Sequence, residues 1–298
     1  MADDPHHDHQ PHGSVHLGED DWAALADRAV VEGEVLLAFV TDTARRVAEW
    51  RSADPSPVRR VLDVGSGPGV GTCELAERFP DAQVVALDGS PAMLERVAER
   101  AAARGLGDRV STHLAELPDG LEGLDPADVI WASLSLHHVG DERRALRALG
   151  ELLAPDGLLA VAELAAPMRV LPDDLDVGRP GLADRLNHAE AGWFAAMRAG
   201  LPDSVPSGDL AEMMGSAGLV VLHDRVVEER LDPPLPDPAR RLVRELLGRA
   251  PHLVGERLDD DDRRALEVLA DADDPRGVAH RGDVFVAASR RIALARRA

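Results

Sequence analysis

Four glycines at alternate positions, Gly65, Gly67, Gly69 and Gly71, follow the run Val61-Leu62-Asp63-Val64. Few folds accommodate this pattern. A strand that ends in such a loop and continues into a helix, opening near Thr72 and running through Phe79, lays bare backbone against a ligand. Glycine allows that approach because it lacks a side chain and tolerates positive φ. The usual dinucleotide fingerprint wants glycines at the first, third and sixth places. Counted from Gly65 the sixth place is Val70, and counted from Gly67 it is Thr72. Pro68 also removes one backbone donor. Taken alone, the loop is a weak signal, with a tight strand-to-helix turn without a ligand as the lesser alternative.

The following units narrow the choice. A second apolar run, Gln83 to Leu87, ends in Asp88. In a right-handed βαβ unit it lies beside the first strand, which brings Asp88 to the edge that holds the glycine loop. A carboxylate there accepts hydrogen bonds from vicinal ribose hydroxyls; the alternative is a plain helix-entry aspartate. Ser90 is a good N-cap and Pro91 suits the first helical position. A third run, Arg109 to Leu114, leads into Ala115 and Glu116. A fourth, Asp128 to Ser133, leads into Leu134-Ser135-Leu136-His137-His138 and a helix that Asp141 can cap. Leu158 to Leu164 is apolar except for Glu163, as expected of a parallel strand buried on both faces. Strands alternating with helices predict a doubly wound α/β sheet.

In this order, Asp63-x-Gly65-x-Gly67-x-Gly69, Asp88 and the segment from Ser133 to His138 resemble the motifs of the class I S-adenosylmethionine-dependent methyltransferases, over residues 58 to 165. The resemblance implies a Rossmann-like, seven-stranded, mostly parallel sheet with an antiparallel last strand and helical insertions. It also implies S-adenosylmethionine as cofactor and methylation of a small molecule on O, N or C. The motif loop would contribute Asp63, Gly65, Ser66, Gly67 and Gly69 to the cofactor site. The next units would add Asp88, Gly89, Ser90 and Met93, then Leu114, Ala115 and Ser133. Many family members carry an Asp near the end of the third strand, at the adenine amino group. His113 or Leu114 stands there, so the backbone of Leu114 and Ala115, with Glu116, is expected to serve instead. Candidates for a general base at this edge are His138, then His137, with Glu163 and His188 beside them. A histidine has the right unperturbed pKa, but capping the next helix or positioning the loop is an equally open role for the pair. The chain contains no lysine and no tyrosine, so neither is available. Two other readings stay open: an oxidoreductase using a nicotinamide or other nucleotide, which the absent sixth-place glycine disfavours, and a non-catalytic ligand-binding protein.

The net charge of −21 argues against nucleic acid and anionic membrane surfaces as partners and leaves a small-molecule substrate. No sequence feature sets the oligomeric state; a homodimer is compatible. No apolar run reaches membrane-span length and the opening residues carry no apolar signal segment, so a cytoplasmic location is expected. All 33 basic residues are arginine, the mark of a GC-rich bacterial source. Cys73 alone cannot form an intramolecular disulfide and is read as a packed thiol. Residues 1–19, with His6, His7, His9, His12 and His16, are expected to be disordered and to hold no defined metal site. Residues 20–298 are read as one domain. Within it, 20–54 form helices that close over the ligand or only cover the sheet edge. Residues 58–165 form the cofactor core, and 166–206 a lid carrying Trp193 and Phe194. Residues 207–298 complete the sheet with strands at Leu219 to Val227 and Val284 to Ala288, and place helices over 238–271.

Overall fold

A computed structural model describes residues 29–52 and 56–298. The histidine-rich stretch and the beginning of the N-terminal helical region lie outside the described residues. Helix 29–35 and α1 (Leu37–Ser52) precede β1 (Arg60–Val64), α2 (Val70–Arg78), β2 (Gln83–Asp88) and α3 (Pro91–Ala103). Then follow β3 (Val110–Leu114), β4 (Ala127–Ser133), α4 (Glu142–Glu151), β5 (Leu153–Leu164) and α5 (Leu182–Ala199). The chain ends with α6 (Leu210–Ser216), β6 (Leu219–Leu231), α7 (Asp237–Val254), α8 (Asp260–Ala270) and β7 (Val286–Arg297). One sheet results, in the order β3-β2-β1-β4-β5-β7-β6. Strands β1 to β5 pair in parallel, and β7 runs antiparallel to both β5 and β6. The expected seven-stranded, mostly parallel sheet with an antiparallel last strand is present.

Period-two alternation explains how this sheet is buried on both sides. Val61, Val129 and Trp131 face a core shared with Phe39 and Val47 of α1 and Leu75 of α2. Leu62, Val64 and Ile130 face the opposite core, with Leu146 and Leu149 of α4 and Met214 of α6. Strand order reverses between β1 and β4, which opens a crevice at their carboxyl ends.

Three elements differ from expectation. β5 starts at Leu153 rather than Leu158: Leu153 pairs with Ala127 and Leu158 with Val129, so the ladder steps over 154–157. The helix has already ended at Glu151, and Pro155-Asp156-Gly157 falls inside the strand. β6 runs on to Leu231 and β7 runs from Val286 to Arg297, well past Val227 and Ala288. Ser289-Arg290-Arg291 breaks the apolar pattern of β7. Tertiary partners resolve the charges, because Arg291 pairs with Asp224 and Asp209 and Arg290 lies 3.6 Å from Glu32. Finally, residues 166–206 and the C-terminal helices, distant in sequence, share one core. Leu171 and Leu186 pack there with Leu247 of α7, Leu266 of α8 and Val286. No helix among the described residues is long and apolar enough to cross a membrane.

Candidate active site

The loop from β1 to α2 forms the floor of the crevice. Gly65, Gly67 and Gly69 all adopt positive φ, at 66°, 51° and 82°. Two of them are spent on packing. A Cβ on Gly65 would lie 2.3 Å from the Ser135 Cβ, and one on Gly69 would lie 3.0 Å from the Val97 Cα of α3. Gly67 differs: nothing stands within 4 Å of where its Cβ would be. The loop is thus pulled down by its outer glycines and presents its middle one to open space.

Asp88 closes this edge. Its carboxylate accepts from the backbone N–H of Gly67 and of Ser90, each at 2.9 Å. Each carboxylate oxygen keeps lone pairs for a further donor. Burial raises the Asp88 pKa against the opposing amides of Ser90, Gly67 and Gly89. Ser90 caps α3, its Oγ accepting from the Met93 N–H at 3.4 Å, and both residues are buried. On β3, Leu114 is 58% exposed beside Asp88, and Ala115 donates its N–H to the Asp88 carbonyl at 3.1 Å. The Glu116 side chain passes over Gly89, with its Cγ 3.2 Å from the position of a Cβ there. Ser133 sits half-buried at the end of β4. Two hydroxyls at the crevice, those of Ser66 and Ser135, are buried with no partner. Orphaned buried hydroxyls are rare in finished cores; here they flank the loop that would receive a polar ligand.

Asp63 lies below the loop and is fully buried. Burial pushes it up to about 7, opposed by the Thr72 hydroxyl that donates at 2.6 Å and reinforced by nearby Asp88. The native state therefore keeps a proton that the unfolded chain releases near pH 4. Stability from this group is greatest at low pH and declines as pH rises from about 4 to 7, by about 1.4 kcal/mol per pH unit. Asp63→Asn stays neutral throughout. Urea unfolding at pH 5 and pH 8 is expected to show the variant gaining on the wild type at the higher pH. An equal difference at both values would mean that Asp63 is ionised in the fold.

Beyond β4, the chain turns through His137 and His138. Glu163, at the end of β5, organises this turn. One carboxylate oxygen accepts from the Ser135 N–H at 3.0 Å and the Leu136 N–H at 2.7 Å, and the other meets His137 Nδ1 at 2.7 Å. In the neutral ring, a carboxylate partner favours the tautomer with the proton on Nδ1 and Nε2 as an acceptor. The His138 ring lies 4.1 Å from that of His137, tilted by 44°. Desolvation, then His137, push His138 down to about 4. Part of its surface remains open to water, and it is neutral at pH 7 whichever environment dominates.

Helix α5 covers the turn. Phe194 packs 5.4 Å from the His137 ring, and Arg198 donates to the carbonyls of His137 and Val139, each at 2.7 Å. His188 is exposed on another face of the same helix. The N-terminal segment comes in over the loop: a Cβ on Gly33 would lie 2.8 Å from the Val70 Cγ2, and Glu34 pairs with Arg100 of α3. Arg198 and Thr72 had no functional signal in the sequence, since each is one of several residues of its type. Glu163 did stand out, as the lone charge in an apolar strand.

A doubly wound sheet with a glycine loop, an acid ending β2 and a covered histidine turn at the switch point defines a nucleotide-cofactor enzyme architecture. A family model described as "Methyltransferase domain" matches residues 62–159. The demethylmenaquinone methyltransferase of Thermus thermophilus is 32% identical over 206 residues, covering 63% of this chain and 87% of that protein. The chain belongs to the class I S-adenosylmethionine-dependent methyltransferases. It is also 37% identical over 160 residues to the trans-aconitate 2-methyltransferase of Methylobacterium radiotolerans, covering half of this chain and 59% of that relative's length. In fold, it resembles the crystal structure of a Bacillus halodurans protein assigned as a methyltransferase. There the TM-score is 0.52 at 14% identity, over 85% of this chain and 98% of that one.

Proposed function

We propose that this chain transfers a methyl group from S-adenosylmethionine to a small-molecule acceptor. The observation that carries the reading is the open face at Gly67 beside the Asp88 carboxylate, flanked by the unpartnered hydroxyls of Ser66 and Ser135. These residues suit a nucleoside: Asp88 retains lone pairs for a ribose diol, exposed Leu114 offers an apolar surface to a base, and the loop admits close backbone approach. When bound, S-adenosylmethionine supplies a methyl carbon already activated by its sulfonium.

The protein's own part is alignment, dryness and proton removal. Alignment alone is worth about 7–11 kcal/mol of barrier. Helix α5, fastened through Arg198, covers the His137 side of the turn. Glu163 holds the His137 proton on Nδ1, so that Nε2 takes the proton of the acceptor's nucleophilic atom. His138, pushed to about 4, is a weak base at neutral pH. We therefore assign the base to His137 and a packing role to His138. The strongly negative net charge supports a small molecule rather than nucleic acid. A cytoplasmic location and a homodimer remain part of the proposal.

Calorimetry tests the cofactor. S-adenosylhomocysteine is expected to bind and NADH is not. Asp88→Ala is expected to weaken S-adenosylhomocysteine at least about tenfold, as loss of a charged hydrogen-bond acceptor implies, with an unchanged circular dichroism spectrum. NADH binding in place of S-adenosylhomocysteine would overturn the reading, and unchanged affinity in the variant would remove Asp88 from the ribose site.

A further inference from the structure

The contact between Glu163 and Nδ1 fixes the His137 ring at one atom, and the ring keeps its place only if the turn beneath it does. That turn is short. Leu136–His138 is a single 3-10 turn, in which the His138 N–H donates to the Ser135 carbonyl and the Val139 N–H to the Leu136 carbonyl. The last carbonyls of such a turn have no partner within it and need one from outside. Arg198 supplies it: its Nη1 donates to both the His137 and the Val139 carbonyls, each at 2.7 Å. Phe194 and Arg198 lie four apart and therefore share a face of α5. One helix face thus touches the His137 ring and also holds the backbone that carries it.

The guanidinium favours this turn over its own ion pair. Arg198 is only 7% exposed, and a charge so buried is costly unless it is well paired. The acid beside it is Glu142, equally buried in the first turn of α4. A guanidinium facing a carboxylate squarely makes two parallel bonds. Here Nη2 alone stands 3.2 Å from Glu142 Oε2, in a geometry that makes no hydrogen bond, and Arg198 Nε is buried with no partner among the described residues. Nη2 donates instead to Ser207 Oγ at 2.9 Å. The short bonds go to the two carbonyls and to Ser207, and the pairing of charges is left incomplete. An apolar side chain would fill this place at less cost; what it could not do is hold both carbonyls. The following segment packs on the turn independently of Arg198. The Pro202 carbonyl leaves no room for a Cβ on Gly140, and the Val205 N–H donates to the Gly140 carbonyl at 3.1 Å.

We propose that Arg198 is a positioning residue for His137: by holding the His137 and Val139 carbonyls it keeps the imidazole against Glu163, and so sustains the tautomer whose Nε2 can accept a proton. Arg198 acts through the turn rather than on a ligand. Its part in the reaction rests on the methyl-transfer reading above, in which His137 is the base.

Nitrogen-15 NMR of the histidine rings tests this on the full chain without any methyl acceptor, the His137 signals being assigned by their loss in His137→Ala. Wild type is expected to show a single His137 tautomer, protonated on Nδ1. Arg198→Met is expected to lose that signal in favour of one averaged between tautomers, while S-adenosylhomocysteine affinity, read by calorimetry, is unchanged. Arg198→Lys keeps the charge without the planar fork and is expected to recover the single-tautomer signal in part. The proposal is overturned by a wild-type ring that already averages its tautomers, or by an Arg198→Met signal identical to wild type. A lysine variant no better than methionine, or S-adenosylhomocysteine affinity lost together with the His137 signal, overturns it as well, since either result marks a general loss of structure. Should Arg198→Met fail to fold, Arg198→Lys is compared with wild type directly: a partial loss of the signal supports the proposal and an unchanged signal overturns it. A wild type that ignores S-adenosylhomocysteine, with a His137 tautomer that still depends on Arg198, leaves the positioning role standing and sinks the methyl-transfer reading instead.

Discussion

His137→Ala is expected to lower kcat by about 10²–10⁴-fold, the range for removing a general base, with S-adenosylhomocysteine affinity unchanged. The reason is geometric. Of the two adjacent imidazoles, only His137 meets a carboxylate, at 2.7 Å from Glu163, and so has a defined Nδ1 proton and a free Nε2. Glu163→Gln sharpens the test. Its amide oxygen can still accept from Ser135 and Leu136, which leaves the amide N–H₂ facing His137 Nδ1. That donor forces the imidazole proton to Nε2, and the base is lost without loss of the turn. A comparable fall in kcat is expected, whereas His138→Ala should change kcat far less. Single-turnover methyl transfer across pH separates the cases. If His138→Ala were the damaging variant and His137→Ala mild, the assignment would be reversed.

Gly65→Ala and Gly67→Ala should diverge although both sites have positive φ. Left-handed backbone costs a non-glycine residue about 1–2 kcal/mol. At Gly67 that is the whole of the stability effect, since no atom stands near the new methyl group. The fold survives, and the methyl group intrudes on the space where the ligand approaches, weakening S-adenosylhomocysteine by at least about tenfold, or ~1.4 kcal/mol. At Gly65 the methyl group would sit 2.3 Å from the Ser135 Cβ. Either the loop or the β4 turn must move, which adds an overpacking penalty of about 1–3 kcal/mol. Thermal unfolding with and without S-adenosylhomocysteine reads both quantities. Gly65→Ala should lose stability before it loses ligand, and Gly67→Ala the reverse. Equal loss of stability in both would show that the loop packs differently.

The site was legible where chemistry is carried by local pattern. Glycines at alternate positions, an acid ending the next apolar run and a serine before Pro91 all announce themselves. Asp88, Ser90 and Asp141 stand where a strand end or helix cap needs them. The elements that were misjudged are those whose residues look wrong in isolation. Arg290 and Arg291 read as the end of a strand until Glu32, Asp224 and Asp209 arrive from 67 to 258 positions away in the chain. No local signal could show those partners.

Local periodicity and turn chemistry thus determined the sheet and the order of its strands and helices, because backbone conformation and face alternation are decided by neighbouring residues; the motif resemblance added the family. Only the tertiary structure decided what each residue does there. It separated the packed Gly65 and Gly69 from the open Gly67 and gave Glu163 to His137 rather than His138. Such assignments depend on distances between segments far apart in sequence, and a linear pattern contains no distances.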